Sequence, residues 1–228
     1  MAIGPAIAVI VDPCSPELIG RAESLAAELR LPLADPESGS RQYDLLLAVT
    51  QGGLELGEGP ARGGRRGLAI RADFVGGALG RRAGSPGFGA AMLRRAVGFK
   101  RPPWRVCDAT AGLARDAFLL AAAGCDVTAV ERSAIIAALV ADGLERARRH
   151  AEDAARRAEG DALRAAVGRI RLVVADSRDW LAGLRGDDRP DAVYLDPMFP
   201  SRGKSALVKK EMRLCRLAAG EICSCRWP

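Results

Sequence analysis

The sequence predicts an α/β protein: a Rossmann-like parallel sheet covered by helices on both faces, with a small α/β extension in front of it. Three observations predict this. From Trp104 onward, short apolar runs alternate with helical stretches at regular spacing, which is the pattern of successive βαβ units. Acids close three consecutive strand candidates, at Asp108, Glu131 and Asp176. A basic, glycine-rich block separates these units from an earlier and shorter α/β segment, and such composition reads as loop.

Taken in order, Ala6–Val11 is the first strand candidate, ended by Asp12-Pro13. It follows no basic region, so Met1–Val11 reads as a strand and not as a signal peptide. Pro16–Leu29 has helical apolar spacing, Tyr43–Thr50 is a second strand, and Leu54–Glu58 and Leu68–Arg71 are short strands around glycine turns. Asp73–Gly77 opens the basic loop and Phe88–Val97 is helical. The alternating region then reads as strand Arg105–Ala109, helix Leu113–Ala123, strand Asp126–Val130 and one long helix from about Ser133 to Ala166. Strand Arg169–Ala175, helix Arg178–Leu184 and strand Ala192–Leu195 follow. The expected organisation is a small N-terminal α/β subdomain (1–72), a basic loop with a connecting helix (73–103) and a Rossmann-like domain (104–228).

Composition narrows the class. At 228 residues with 49% hydrophobic and 27% charged positions, the chain suits a globular protein of one core plus an appendage. No apolar run approaches the length needed to cross a bilayer. The six cysteines (Cys14, Cys107, Cys125, Cys215, Cys223, Cys225) lack paired zinc-type spacing, so reduced thiols in the cytoplasm are expected. The single histidine, His150, lies in a charged helical stretch and reads as solvated. The net charge of +6 is unevenly spread: Arg62–Arg105 holds eleven basic residues and one acid, Asp73, leaving −4 for the rest. Thirteen of the 26 glycines fall between Gly52 and Gly89. Basic loops of this kind favour a polyanionic partner.

Two motifs carry chemistry. Asp191–Pro200 reads Asp-Ala-Val-Tyr-Leu-Asp-Pro-Met-Phe-Pro: a strand ending in an acid, a proline and an aromatic. Asp196 can accept a hydrogen bond from an exocyclic amino group, Pro197 fixes the turn, and Phe199 offers a face on which a base can stack. The second motif is the turn from Asp108 to Asp116, where Gly112 is the only glycine. The dinucleotide GxGxxG fingerprint is therefore absent, which argues against a nicotinamide or flavin enzyme. Glu131, nineteen residues past Gly112, stands where an acid takes ribose hydroxyls. Asp176 and Ser177 are placed to meet an adenine amino group. Acids at three successive strand ends suit S-adenosylmethionine, a cationic cofactor; acting as helix N-caps is their purely structural alternative.

Asp108–Phe118, Val130–Arg132, Tyr194–Pro200 and the run Lys-Ser-Ala-Leu-Val-Lys-Lys-Glu-Met-Arg ending at Arg213 resemble the bacterial 16S rRNA guanine-N2 methyltransferases of the RsmJ (YhiQ) family, as do Asp73–Gly77 and Ala96–Gly98. The resemblance covers most of residues 1–213. It implies a class I S-adenosylmethionine-dependent methyltransferase fold and cofactor contacts from Arg115, Asp116, Glu131, Arg132, Asp176, Ser177 and Asp196. It further implies methylation of the exocyclic N2 of a guanosine near the 3′ end of 16S rRNA, with 16S rRNA or the 30S subunit as partner. Lys204, Lys209, Lys210, Arg81 and Arg82 are the candidates for gripping RNA phosphates, and no metal is expected. The chain departs from the family at Ala114, where the family has glycine. It departs again at Glu221–Pro228, where the family continues through further strands; C-terminal strands are expected to be missing. Methylation of DNA adenine or protein glutamine fits the same motif. A catalytically inactive RNA- or ribosome-binding module is the alternative from a different class.

Overall fold

The computed structural model describes residues 5–12, 15–35, 42–59, 69–76, 88–153, 158–196 and 206–219. By contact density the chain divides into two compact units, Met1–Arg71 with Met198–Pro228, and Ala72–Pro197.

In the first unit, β1 (Ile7–Val11) runs parallel to β2 (Leu45–Thr50), which forms an antiparallel hairpin with β3 (Gly53–Glu58). β4 (Ala69–Ile70) completes the order β1-β2-β3-β4. Leu45, Leu47 and Val49 are buried on alternate positions of β2, the period-2 pattern of a strand with one buried face. Thr50 closes the hairpin, its hydroxyl donating to the Gly53 carbonyl at 2.8 Å and accepting from Gly52 N–H at 3.1 Å. α1 (Pro16–Leu29) begins at Ser15, whose hydroxyl accepts from Leu18 N–H, with proline in the first turn, where its missing N–H costs nothing.

The second unit is a parallel sheet of β5 (Arg105–Asp108), β6 (Asp126–Glu131), β7 (Ile170–Val174) and β8 (Ala192–Tyr194), ordered β7-β6-β5-β8. Its helices are α2 (Phe88–Ala96), α3 (Arg115–Ala122), α4 (Ala134–Asp153), α5 (Ala158–Gly168) and α6 (Ser177–Gly183). One face packs Val106, Val127 and Ala129 with Phe118, Leu120, Val140, Leu144 and Val167; the other packs Cys107, Ala109 and Val130 with Trp180 and Leu181. Both faces of the central strands are thus covered, as parallel sheets require. Phe74 enters the first core and meets the Phe118 ring at 5.1 Å. α7 (Ala206–Ala218) belongs to the first unit, where Arg213 is hydrogen-bonded to Glu58; the sequence had grouped this stretch with the Rossmann-like strands.

Two element expectations need correction. The single helix from Ser133 to Ala166 is two helices, α4 and α5, packed against each other: the Arg164 guanidinium reaches the Ala151 carbonyl at 3.3 Å. Thirteen residues along one straight helix would separate them by about 20 Å. Burial of Ala166 and Val167 in the core shared with Leu144 and Ala147 favours the paired arrangement. Helix α3 starts at Arg115, not Leu113, because Gly112 (φ +52°) and Ala114 (φ +56°) are left-handed.

Candidate active site

In a sheet ordered β7-β6-β5-β8, the chain moves one way from β5 to β6 and β7, then returns to add β8 on the other side of β5. The carboxyl ends of β5 and β8 flank this switch point, where open α/β sheets bind ligands. Asp108 ends β5, Glu131 ends β6, Asp176 follows β7 and Asp196 follows β8.

Asp108 is almost wholly buried, at 2% exposure. Burial pushes its carboxyl up to about 7, and the nearby Asp116, Asp196 and Glu131 charges push the same way; only the Thr110 N–H, donating to Oδ1 at 3.1 Å, opposes them. The Glu131 carboxylate is oriented by the backbone, accepting from Gly112 N–H at 3.0 Å and Ser133 N–H at 2.7 Å. The left-handed φ of Gly112 presents that N–H, which is the use of a glycine in this turn. Each Glu131 oxygen keeps a second lone pair for a ligand hydroxyl. Asp116, in the first turn of α3, accepts from the Tyr194 hydroxyl at 2.8 Å. Burial, and then this hydrogen bond, push the Tyr194 phenol well above its ordinary range. The Thr110 hydroxyl accepts from Asp196 N–H at 2.8 Å, and Ala109 N–H donates to the Tyr194 carbonyl at 3.0 Å. The start of the Asp196 turn is therefore tied to the turn after β5 by both main chain and side chain.

Asp108, Gly112, Asp116, Glu131 and Asp196 therefore lie together at the carboxyl ends of β5, β6 and β8, with Arg115 exposed beside Asp116 and Arg132 exposed beside Glu131. Asp176 accepts from Arg178 N–H at 2.8 Å and caps α6, of which Ser177 is the first residue; the helix-cap role is thus realised at this one of the three strand-end acids. Pro197, Phe199, Lys204, Arg81 and Arg82 lie outside the described residues, and for Lys209 and Lys210 only the backbone of α7 is described. Sequence reasoning missed Thr110 and gave Tyr194 no role. The lone hydroxyl in the Ala-Thr-Ala turn was the available signal for the first.

Three carboxyl groups, Asp116, Glu131 and Asp196, around a buried Asp108 make a strand-end cluster that repels phosphates and favours a cation. S-adenosylmethionine carries a sulfonium and an ammonium group, and the donor set fits it. Fold and site together define a class I S-adenosylmethionine-dependent methyltransferase.

The comparisons with known proteins agree. The profile of the family described as "Putative SAM-dependent methyltransferase" matches residues 29–222. A Ribosomal RNA small subunit methyltransferase J of Thioalkalivibrio sulfidiphilus is 47% identical over 211 residues, covering 91% of this chain and 75% of that protein. The protein of the same name from Nitrosococcus oceani is 41% identical, covering 90% of this chain and 75% of its own length. Among solved structures, a SAM-dependent methyltransferase of Neisseria gonorrhoeae superposes with a TM-score of 0.61 at 26% identity, over 85% of this chain and 70% of that one. The chain belongs to this family of S-adenosylmethionine-dependent methyltransferases, the one that includes the ribosomal RNA small subunit methyltransferases J. Its cofactor is S-adenosylmethionine.

Proposed function

We propose that this chain methylates the exocyclic N2 of a guanosine in small-subunit ribosomal RNA, with 16S rRNA or the 30S subunit as partner and the cytoplasm as its compartment. The names of its relatives support the RNA class. The observation that carries the reaction is the Thr110–Asp196 hydrogen bond, which fixes the backbone of a strand-end carboxylate beside an acidic pocket.

When bound, S-adenosylmethionine supplies an already activated methyl group, so the residues of the chain have mainly to position the acceptor. Bringing two reactants into near-attack geometry can account for about 7–11 kcal/mol of barrier. In this proposal Asp196, with the carbonyl of Pro197, accepts from the guanine amino group and turns its lone pair toward the methyl. Phe199 stacks on the base once it has left its neighbours. Positive charge would grow on N2 as its bond to the methyl forms and the methyl–sulfur bond breaks, leaving a neutral thioether, and the Asp196 carboxylate would favour that charge more strongly in the transition state than before it. The proton then leaves to water or to Asp196. Glu131 takes the ribose hydroxyls, Asp176 and Ser177 the adenine edge, and Asp108, Gly112, Arg115, Asp116 and Arg132 complete the cofactor pocket.

The test is transfer of tritium from methyl-labelled S-adenosylmethionine to 30S subunits lacking this modification, with digestion and identification of the labelled nucleoside. Label in N2-methylguanosine is expected. Label in a different nucleoside would overturn the N2 assignment, and RNA binding without any transfer would favour a binding module.

A further inference from the structure

We propose that the basic and aromatic ridge from Arg94 to Trp104 is a second RNA-binding surface, which grips phosphates away from the base being methylated. The proposal rests on the ribosomal RNA reading above and adds to it where the substrate is held. Between Asp73 and Asp108 the chain contains seven basic residues and no acid. Four of them, Arg94, Arg95, Lys100 and Arg101, are described and exposed, and none forms an ion pair with a described carboxylate. Arg105, at the start of β5, is by contrast occupied, donating to the carbonyls of Asp187 and Arg189.

Two of these cations sit against aromatic rings. The Arg94 guanidinium lies 4.1 Å from the Phe99 ring centroid and the Lys100 ammonium 5.9 Å from that of Trp104. The two rings meet edge-on at 6.5 Å, and the Trp104 indole N–H is fixed on the Val97 carbonyl at 3.0 Å. Cations held against rings lose less side-chain freedom on meeting a ligand than cations on free arms. Two pre-placed cations, with Arg95 and Arg101 exposed nearby in sequence and none of the four paired with a described carboxylate, fit a polyanion, and RNA is the polyanion of the reading above. The ridge is not part of the catalytic pocket. Trp104 immediately precedes β5, and its carbonyl accepts from Asp126 N–H at the start of β6, so it lies at the amino ends of the strands. The four residues of β5 separate it from the acidic turns by about 13 Å. It would hold backbone flanking the target.

The experiment compares wild type with a variant carrying Arg94→Gln, Arg95→Gln, Lys100→Gln and Arg101→Gln. A second variant, Arg148→Gln with Arg149→Gln on α4, controls for simple loss of charge, because those side chains already pair with Glu145. Binding of a fluorescein-labelled transcript of the 16S rRNA 3′ domain is followed by anisotropy across a salt series, beside S-adenosylmethionine binding by calorimetry. The ridge variant is expected to lose at least tenfold in RNA affinity, with the slope of log K against log[salt] falling by up to about 3, since each phosphate contact contributes roughly 0.7–0.9. Cofactor affinity should stay within twofold, and the α4 variant should match wild type. RNA affinity and salt slope unchanged in the ridge variant would overturn the proposal while leaving the ribosomal RNA reading intact. Wild-type protein that binds no transcript would overturn both. Binding to phosphatidylserine vesicles in place of RNA would make the ridge a lipid surface and overturn the proposal.

Discussion

Thr110 is the residue on which the proposed catalytic geometry turns, because its hydroxyl takes the Asp196 N–H at 2.8 Å. Thr110→Val keeps the shape and removes the acceptor, and a lost hydrogen bond of this kind is worth about 1 kcal/mol. The expected result is a five- to tenfold fall in kcat, little change in cofactor affinity, and recovery in Thr110→Ser; an equal fall in cofactor affinity would mean that the residue serves the cofactor turn instead. Asp108 makes a different prediction. Its carboxyl is raised to about 7 by burial and by neighbouring acids, above an unfolded value of about 3.9. Between those values the folded state binds more protons than the unfolded one, so the contribution of Asp108 to stability is complete below about pH 4 and is lost as pH rises through about 7. Urea denaturation of the cofactor-free protein should therefore show a component weakening from pH 5 to 7 that Asp108→Asn removes; identical pH dependence in the variant would show that Asp108 titrates normally. The strand-end acids were legible in the sequence because an acid closing an apolar run stands out at any register. The partnerships of Thr110 and Tyr194 were not, because they depend on β8 lying beside β5 with Asp108 opposite Tyr194, a neighbour relation that no local pattern announces.

Among the elements, α4 shows where pattern reading runs out. Its buried positions, Ile136, Val140, Leu144, Ala147 and Ala151, keep helical spacing, and the alanine-rich continuation carries no proline. Helix propensity therefore suggested one rod, and only the shared core of α4 and α5 decides for two. Conversely, Gly143 in the middle of α4 looks like a weak point, since glycine costs a helix about 1 kcal/mol relative to alanine. It is a contact point: a Cβ there would stand 2.7 Å from the Ala72 carbonyl oxygen and 3.0 Å from the Phe74 ring. One turn along, Arg146 bonds both the Asp142 carboxylate, at 2.8 Å, and the Ala72 carbonyl. The segment from Ala72 to Gly76 is thus pressed and tied to α4, with Asp73 accepting from the Val75 and Gly76 N–H groups at 3.1 and 3.0 Å. Gly143→Ala should consequently destabilise the protein by about 1–3 kcal/mol through overpacking, despite improving helix propensity. A rise in thermal midpoint would mean that the approach of α4 to this segment is looser than the structure has it.

At the scale of the whole molecule, the order β7-β6-β5-β8 brings the ends of β5 and β8 together, and every described cofactor candidate, from Asp108 to Asp196, lies inside the unit Ala72–Pro197. The alternation of elements made the parallel strands β5 to β8 legible from sequence. The grouping of α7 with the first unit was not, because an amphipathic helix does not reveal which core it completes. This division sets the reach of ligand stabilisation. A ligand that binds only the folded state adds RT ln(1 + [L]/Kd), about 2.7 kcal/mol at one hundred times Kd. Amide hydrogen exchange with and without saturating S-adenosylmethionine should show the gain in β5, β6 and the turns after them. The Gly112 and Ser133 amides should respond most, because their acceptor Glu131 is itself a proposed cofactor contact. The strands β1 to β4 should exchange at unchanged rates if the units open independently. Equal slowing of β1 to β4 would show that the units unfold as one, and no slowing at Gly112 would remove Glu131 from the cofactor site.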